Sequence, residues 1–176
     1  MQFGRYEAEL IRDAKNGDGG AFAELLRSQY EVAYRLALGL LHDADEAEDA
    51  VQEAAFKAWR RLGNLREGAS LRPWFLGIVA NKCRDASRSA WWSVLKVEPP
   101  ETAALTADLA EAIDLRRALR RMGHDDRLVL VLRYFLDMPF EEIATTLGIS
   151  TKAARSRVER AVHRLRPIVR VQGAAV

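Results

Sequence analysis

The stretch Phe140-Glu-Glu-Ile-Ala-Thr-Thr-Leu-Gly-Ile-Ser-Thr-Lys-Ala-Ala-Arg-Ser-Arg-Val-Glu-Arg-Ala-Val-His-Arg-Leu165 decides the fold. Apolar residues recur at Ile143, Ala144 and Leu147, then at Val158, Ala161, Val162 and Leu165, the three-and-four spacing of helices with one buried stripe. Between the two runs, Gly148 can take the positive φ that reverses the chain, and Ser150 can accept a hydrogen bond from the first turn of the next helix. That next helix carries Lys152, Arg155, Arg157, Arg160 and Arg164. A short helix, a tight turn and a basic helix form a helix-turn-helix signature, the arrangement that sets side chains on base edges in a major groove with cations on the flanking phosphates.

Helical periodicity also governs the chain upstream, and no run of alternating β-branched residues reads as a strand. Leu109, Ala112, Ile113, Leu119 and Met122, then Leu128, Val131, Leu132 and Phe135, complete a set of four helices up to Leu165. After the expected loop Asn16-Gly17-Asp18-Gly19-Gly20, a stripe runs through Phe22, Leu25, Leu26, Val32, Ala33, Leu36, Ala37 and Leu40. A second helix follows Asp43, with Ala47, Ala50, Val51, Ala54, Ala58, Trp59 and Leu62 inward and Asp45, Glu46, Glu48, Asp49 and Glu53 outward. The stretch Gly63–Ser70 is a loop by its glycines and small polar residues. Pro73 then sits in the first turn of a helix bearing Trp74, Phe75, Ile78, Val79, Cys83 and Ala86, where its missing N–H costs nothing. Val94 to Asp108 breaks the pattern, and Pro99-Pro100 forbids a helix there. The expectation is an all-α chain of two small helical domains, 1–93 and 109–176, joined by a flexible linker over 94–108.

Composition narrows the function classes. With 176 residues, 49% hydrophobic and 30% charged, the chain can bury a core. Its longest stretches without Asp, Glu, Lys or Arg are nine residues, Pro73–Asn81 and Ile143–Thr151, against the roughly 20 apolar residues of a spanning helix. Glu7 and Glu9 stand where a signal peptide would carry its apolar run, so a cytoplasmic protein is expected. The single cysteine, Cys83, excludes an internal disulfide and a cysteine-based metal site, and reads as a core thiol. Net charge is only +2, but its distribution is blocked. Residues 1–56 hold 5 basic and 12 acidic side chains, 57–95 hold 8 and 2, 96–114 hold 1 and 5, and 115–176 hold 13 and 6. Basic blocks attract phosphate through counterion release, and acidic ones favour a basic protein surface.

No constellation for catalysis presents itself. His42, His124 and His163 lack metal-ligand spacing, no Gly-x-x-x-x-Gly-Lys loop occurs, and no glutamate of the acidic helix is followed by His at the third position. The expectation is a protein without enzyme activity, cofactor or metal, whose acidic helix contacts protein. The basic block 57–95 interleaves Trp74, Trp91 and Trp92 with Arg60, Arg61, Arg66, Arg72, Lys82, Arg84 and Arg88, a pattern suited to single-stranded nucleic acid. Trp74 reads as core, and Trp91 and Trp92 stay open.

On these residues the chain resembles the extracytoplasmic-function (ECF) group of bacterial RNA polymerase sigma factors. Asp49-Ala-Val-Gln-Glu-Ala-Ala-Phe-Lys-Ala-Trp-Arg60 looks like the polymerase-binding helix of sigma domain 2. Leu65-Arg66 through Pro73-Trp74-Phe-Leu-Gly-Ile-Val-Ala-Asn81 is similar to the loop and helix that read the −10 promoter element. Glu141-Glu-Ile-Ala144, Leu147-Gly-Ile-Ser150 and Arg155-Ser-Arg157 fall where domain 4 carries its −35-reading motif. Lys152-Ala153-Ala154 departs from the Gly-Thr-Val common there. The resemblance implies binding to core RNA polymerase, recognition of duplex −35 and single-stranded −10 DNA, and an anti-sigma factor, often membrane-bound. It implies polymerase contacts at Asp49, Gln52, Glu53 and Phe56. It places −10 contacts at Asn64, Arg66, Ser70, Arg72, Asn81 and Arg84, and −35 contacts at Thr151, Lys152, Arg155, Ser156, Arg157, Arg160 and Arg164. Helical geometry adds that Lys152, Ser156 and Arg160 lie opposite the apolar stripe, with Arg155 and Arg157 on its borders. The rivals are a helix-turn-helix regulator with a helical N-terminal sensing domain and a helical enzyme with a DNA-binding tail. The first leaves the acidic helix unexplained, and the second lacks a catalytic site.

Overall fold

Four of the long helices begin where a side chain, Asp18, Asp43, Glu7 or Ser150, accepts from an otherwise orphaned N–H group. In the computed structural model, which describes residues 2–92, 115 and 117–173, α1 spans Gln2–Lys15 and α2 Gly19–Leu41. The expected loop through Gly20 is shorter than its glycines suggest, because Asp18 caps α2 and its carboxylate accepts from the Gly20 and Ala21 amides. Both glycines therefore belong to the first turn. Helix α1 lies upstream of every stripe that periodicity identifies. Asp43 caps α3, Ala44–Arg61, through the Glu46 amide, and a 3-10 turn at Leu62–Asn64 leads into the loop before α4, Leu71–Trp92.

Helix α4 is the centre of the first group. Phe75, Leu76, Ile78, Val79, Ala80 and Cys83 are buried on it, wrapped by α2, α3 and a helix from the second group. Burial pushes the Cys83 thiol up to about 12, which leaves it an inert core group. Trp74 packs half-buried against this core. Trp59, expected inward, lies at the edge of α3 with its ring tilted on Phe22 at 4.9 Å and remains partly in solvent.

Helical backbone at 117–121 precedes α5, His124–Leu130, which runs into a π turn at Val131–Phe135; α6 is Phe140–Leu147 and α7 Thr151–Gly173. Among the described residues there is no strand, and no helix is long and apolar enough to cross a membrane. The π turn is closed by the Leu136 amide on the Val131 carbonyl, and it turns Tyr134 and Phe135 outward. The expected linker 94–108, the residues Leu109, Ala112 and Ile113, and the side chains of Trp91 and Trp92 lie outside the described residues.

The two helix groups share one core. Leu128, Val131, Leu132, Leu136, Met138, Ile143 and Ala144 belong to the same buried cluster as Leu36, Leu40, Leu76 and Val79. A smaller cluster of Met122, Val129, Leu130, Val158 and Ala161 holds α7 onto α5. Two glycines permit the close approach. A Cβ at Gly77 of α4 would stand 2.8 Å from the Thr146 carbonyl oxygen of α6, and one at Gly39 of α2 would stand 2.9 Å from Val131 Cγ1. Arg127 reaches across to donate to the Leu40 carbonyl at the end of α2, where a cation suits the helix dipole. Burial lowers its affinity for its proton from the ordinary arginine value.

Candidate functional site

The turn of the helix-turn-helix forms as its sequence requires. Gly148 adopts φ 65, and the Ser150 hydroxyl accepts from the Ala153 amide at 3.2 Å. On α7, Ala154, Val158 and Ala161 are buried, which leaves Lys152, Arg155, Arg157, Arg160 and Arg164 exposed and Thr151 and Ser156 half-exposed. Two of these cations have partners that sequence spacing could not show. The Arg155 guanidinium lies 4.6 Å over the Phe140 ring, which Arg133 covers at 5.1 Å. Arg164 is paired with Asp126 at 2.6 Å.

On α3, Asp49, Gln52, Glu53 and Phe56 share one outward row at three-and-four spacing. Phe56 is 65% exposed, a large apolar ring in water with the Arg60 guanidinium 5.8 Å from its centroid. Gln52 donates to Glu48, and Glu53 accepts from Lys82 of α4 at 2.6 Å. A shallow cavity of about 860 Å³ lies beside this row, lined by Gln52, Glu53, Phe56, Lys57, Arg60 and Lys82.

The loop before α4 exposes Asn64, Arg66 and Ser70, and Asn81 is exposed further along α4. Arg72 and Arg84 are half-buried instead, because the second helix group supplies their counter-charges. Arg84 donates to Asp125 at 2.6 Å and touches Asn81 Oδ1 at 3.4 Å. Arg72 Nε faces Glu142 Oε2 at 3.7 Å, beyond hydrogen-bond reach. The acids Glu142, Asp125 and Asp126 were missed because they become partners only once the two groups pack. Beside them, burial and then the Arg84 cation hold His124 down at about 4, with Asp125 opposing.

Fold and site together define a class: an all-helical protein in two parts, the second a basic helix-turn-helix, the first presenting an acidic face and a basic loop-and-helix face. Residues 25–93 match the family Sigma-70 region 2, and 112–165 match Sigma-70, region 4. The chain is 32% identical over 165 residues to the ECF RNA polymerase sigma factor SigM of Mycobacterium tuberculosis, covering 92% of this chain and 83% of that protein. It is 29% identical over 174 residues to the RNA polymerase sigma-H factor of Pseudomonas aeruginosa, covering 88% and 89%. In fold it is similar to CnrH, solved in complex with the cytosolic domain of CnrY, with a TM-score of 0.69, 24% identity and coverage of 94% and 98% of the two chains. The sigma factor RpoE of Bartonella quintana, solved with the anti-sigma factor NepR, gives 0.62 at 24% identity, covering 85% and 97%. The chain belongs to the ECF RNA polymerase sigma factors, and it is a transcription initiation factor.

Proposed function

We propose that this sigma factor docks on core polymerase through Asp49, Gln52, Glu53 and Phe56, reads −10 DNA with Asn64, Arg66, Ser70, Arg72, Asn81 and Arg84, and reads −35 DNA with Thr151, Lys152, Arg155, Ser156, Arg157, Arg160 and Arg164. The observation that carries this division of labour is the outward row on α3, where the exposed Phe56 follows Asp49 and Glu53 on one face and is bordered by Lys57, Arg60 and Lys82, far along the chain from the basic α7. An exposed ring ringed by polar groups suits a protein partner, and a basic helix after a tight turn suits a groove. At the −10 element an amide or hydroxyl hydrogen-bonds the edge of an extruded base, and binding energy offsets the few kcal/mol of unpairing. The protein supplies recognition and no catalysis of its own, works in the cytoplasm, and is a target of an anti-sigma factor; what supports the last point is that the similar sigma factor RpoE was solved with the anti-sigma factor NepR.

Run-off transcription with purified core enzyme tests the whole reading. Specific initiation is expected only when this chain is added, and a chain that never stimulates it refutes the proposal. Core pull-down separates this function from that of a ligand-sensing helix-turn-helix regulator, which would leave core enzyme behind.

A further inference from the structure

We infer that α1 is a clamp on the loop 65–70, with Glu7 and Lys15 as positioning residues that fix its two ends and so set base preference at the −10 element; this rests on the reading of that loop as a −10 contact. The loop hangs between two buried leucines, Leu65 and Leu71. Between them Arg66, Glu67, Gly68 and Ser70 are exposed, turned by the Ala69 amide on the Arg66 carbonyl and by Gly68 at φ 73. Both leucine anchors are also held by charged groups from α1. Lys15 Nζ donates to the Leu65 carbonyl at 2.6 Å, and Glu7 Oε1 accepts from the Leu71 amide at 3.0 Å.

The second bond satisfies the first amide of α4, that of Leu71. A serine before a helix accepts from the second or third amide of the first turn and not from the first, and here the third residue is Pro73, which has none. Glu7 supplies an acceptor from a distant helix and places a negative charge at the positive end of α4. Ser70 keeps its place in the exposed part of the loop. Helix α1 is itself seated firmly: Ala14 is buried, Leu10 and Ile11 pack on the core, and the Tyr6 hydroxyl donates to Glu24 at 2.6 Å. At 1.5 Å per residue, Glu7 and Lys15 stand about 12 Å apart along the helix, enough to hold both ends of the loop at once. The Sigma-70 region 2 match begins at residue 25, so the clamp comes from outside it.

The test uses the full chain with core polymerase and two promoter pools, one randomised across the −10 element and one across the −35 element. Glu7→Ala and Lys15→Met are expected to flatten −10 preference by about five- to tenfold, the loss of one well-made hydrogen bond, while −35 preference keeps its parental profile. Glu7→Gln, which retains a carbonyl acceptor, should recover most of the preference. Amide exchange at Leu71 should accelerate in Glu7→Ala and stay near parental in Glu7→Gln. A merely structural α1 would lower initiation equally on both pools with the −10 profile unchanged, and that result overturns the clamp. Arg66→Ala and Asn81→Ala serve as controls. If they too leave the −10 profile unchanged, the reading of the loop fails; if they flatten it and the α1 variants do not, the clamp alone fails. Should Glu7→Ala prove too unstable to purify, Lys15→Met decides.

Discussion

His124 stands at the start of α5 against α4, with Arg84, Asp125 and Arg127 as the charges that act on it. Its proton affinity is lowered from 6.5 to about 4, so the folded arrangement holds the neutral ring. The contribution is therefore fully present above pH 6.5 and is lost as pH falls from there toward 4. Thermal unfolding followed between pH 7 and about 4.5 should show a falling Tm, and His124→Gln should flatten that slope; an unchanged slope removes His124 as its cause. Arg155 poses a different contest. Its stacking over Phe140 is worth about 0.5–1 kcal/mol at an exposed site, whereas a bidentate guanine contact discriminates by about 1–3 kcal/mol. On the proposed reading the base contact outweighs the stacking, so Arg155→Ala should lower affinity for a cognate −35 duplex by about five- to a hundredfold and leave a scrambled duplex nearly unchanged. Equal losses, with a salt slope reduced by about one, make it a phosphate contact instead. The face of Arg155 was legible from helical spacing. Its ring partner was not, since Phe140 meets it only through the turn at Gly148.

Elements show the same division between what is local and what is not. Helix α3 was readable because its alanines and its carboxylates segregate to two faces, and because Asp43 caps it. Helix α1 went unread although Tyr6, Leu10, Ile11 and Ala14 carry helical spacing, since glycines at 17, 19 and 20 drew the boundary too late and the acids at 7 and 9 served only to exclude export. The π turn at Val131–Phe135 is not legible in the periodicity: Phe135 continues the stripe of Leu128, Val131 and Leu132 by spacing, but the one extra residue in the turn carries its ring out to solvent. For α3 the outward row gives a direct test. Replacing Asp49 and Glu53 by Lys should weaken core binding, with about 2–5 kcal/mol expected for each charge pair that the interface buries. The change at Glu53 also sets a second ammonium beside Lys82, but Glu53 is mostly in solvent, where such a pair is worth at most about 1 kcal/mol. Circular dichroism should stay unchanged. Core affinity that also stays unchanged eliminates this row as the dock.

At the scale of the whole molecule, the packing of α4 on α6 conflicts with the proposed reading of two promoter elements at once, one by each helix group. A folded body of this chain length is about 40 Å across, whereas elements centred about 25 base pairs apart lie about 85 Å apart along B-DNA. The expected 15-residue linker reaches about 50 Å when extended, so binding both elements requires the two helix groups to part. Parting them would also free Arg84 from Asp125 and Arg72 from Glu142, the two cations that the proposed function assigns to −10 DNA. Gly77→Ala tests this. In an open helix the change would stabilise by up to about 1 kcal/mol, but its Cβ would press to 2.8 Å on the backbone oxygen of Thr146, and such overpacking costs about 1–3 kcal/mol. The clash wins, and because a backbone atom cannot swing aside, it is relieved by separation of α4 from α6. The variant should show a larger radius of gyration by small-angle scattering, a lower Tm, and tighter binding of single-stranded −10 DNA than the parent. A variant that stays as compact and as stable as the parent would show that α4 and α6 do not pack in solution as they do here. One that opens without gaining affinity would show that the ion pairs of Arg72 and Arg84 hold nothing back from DNA.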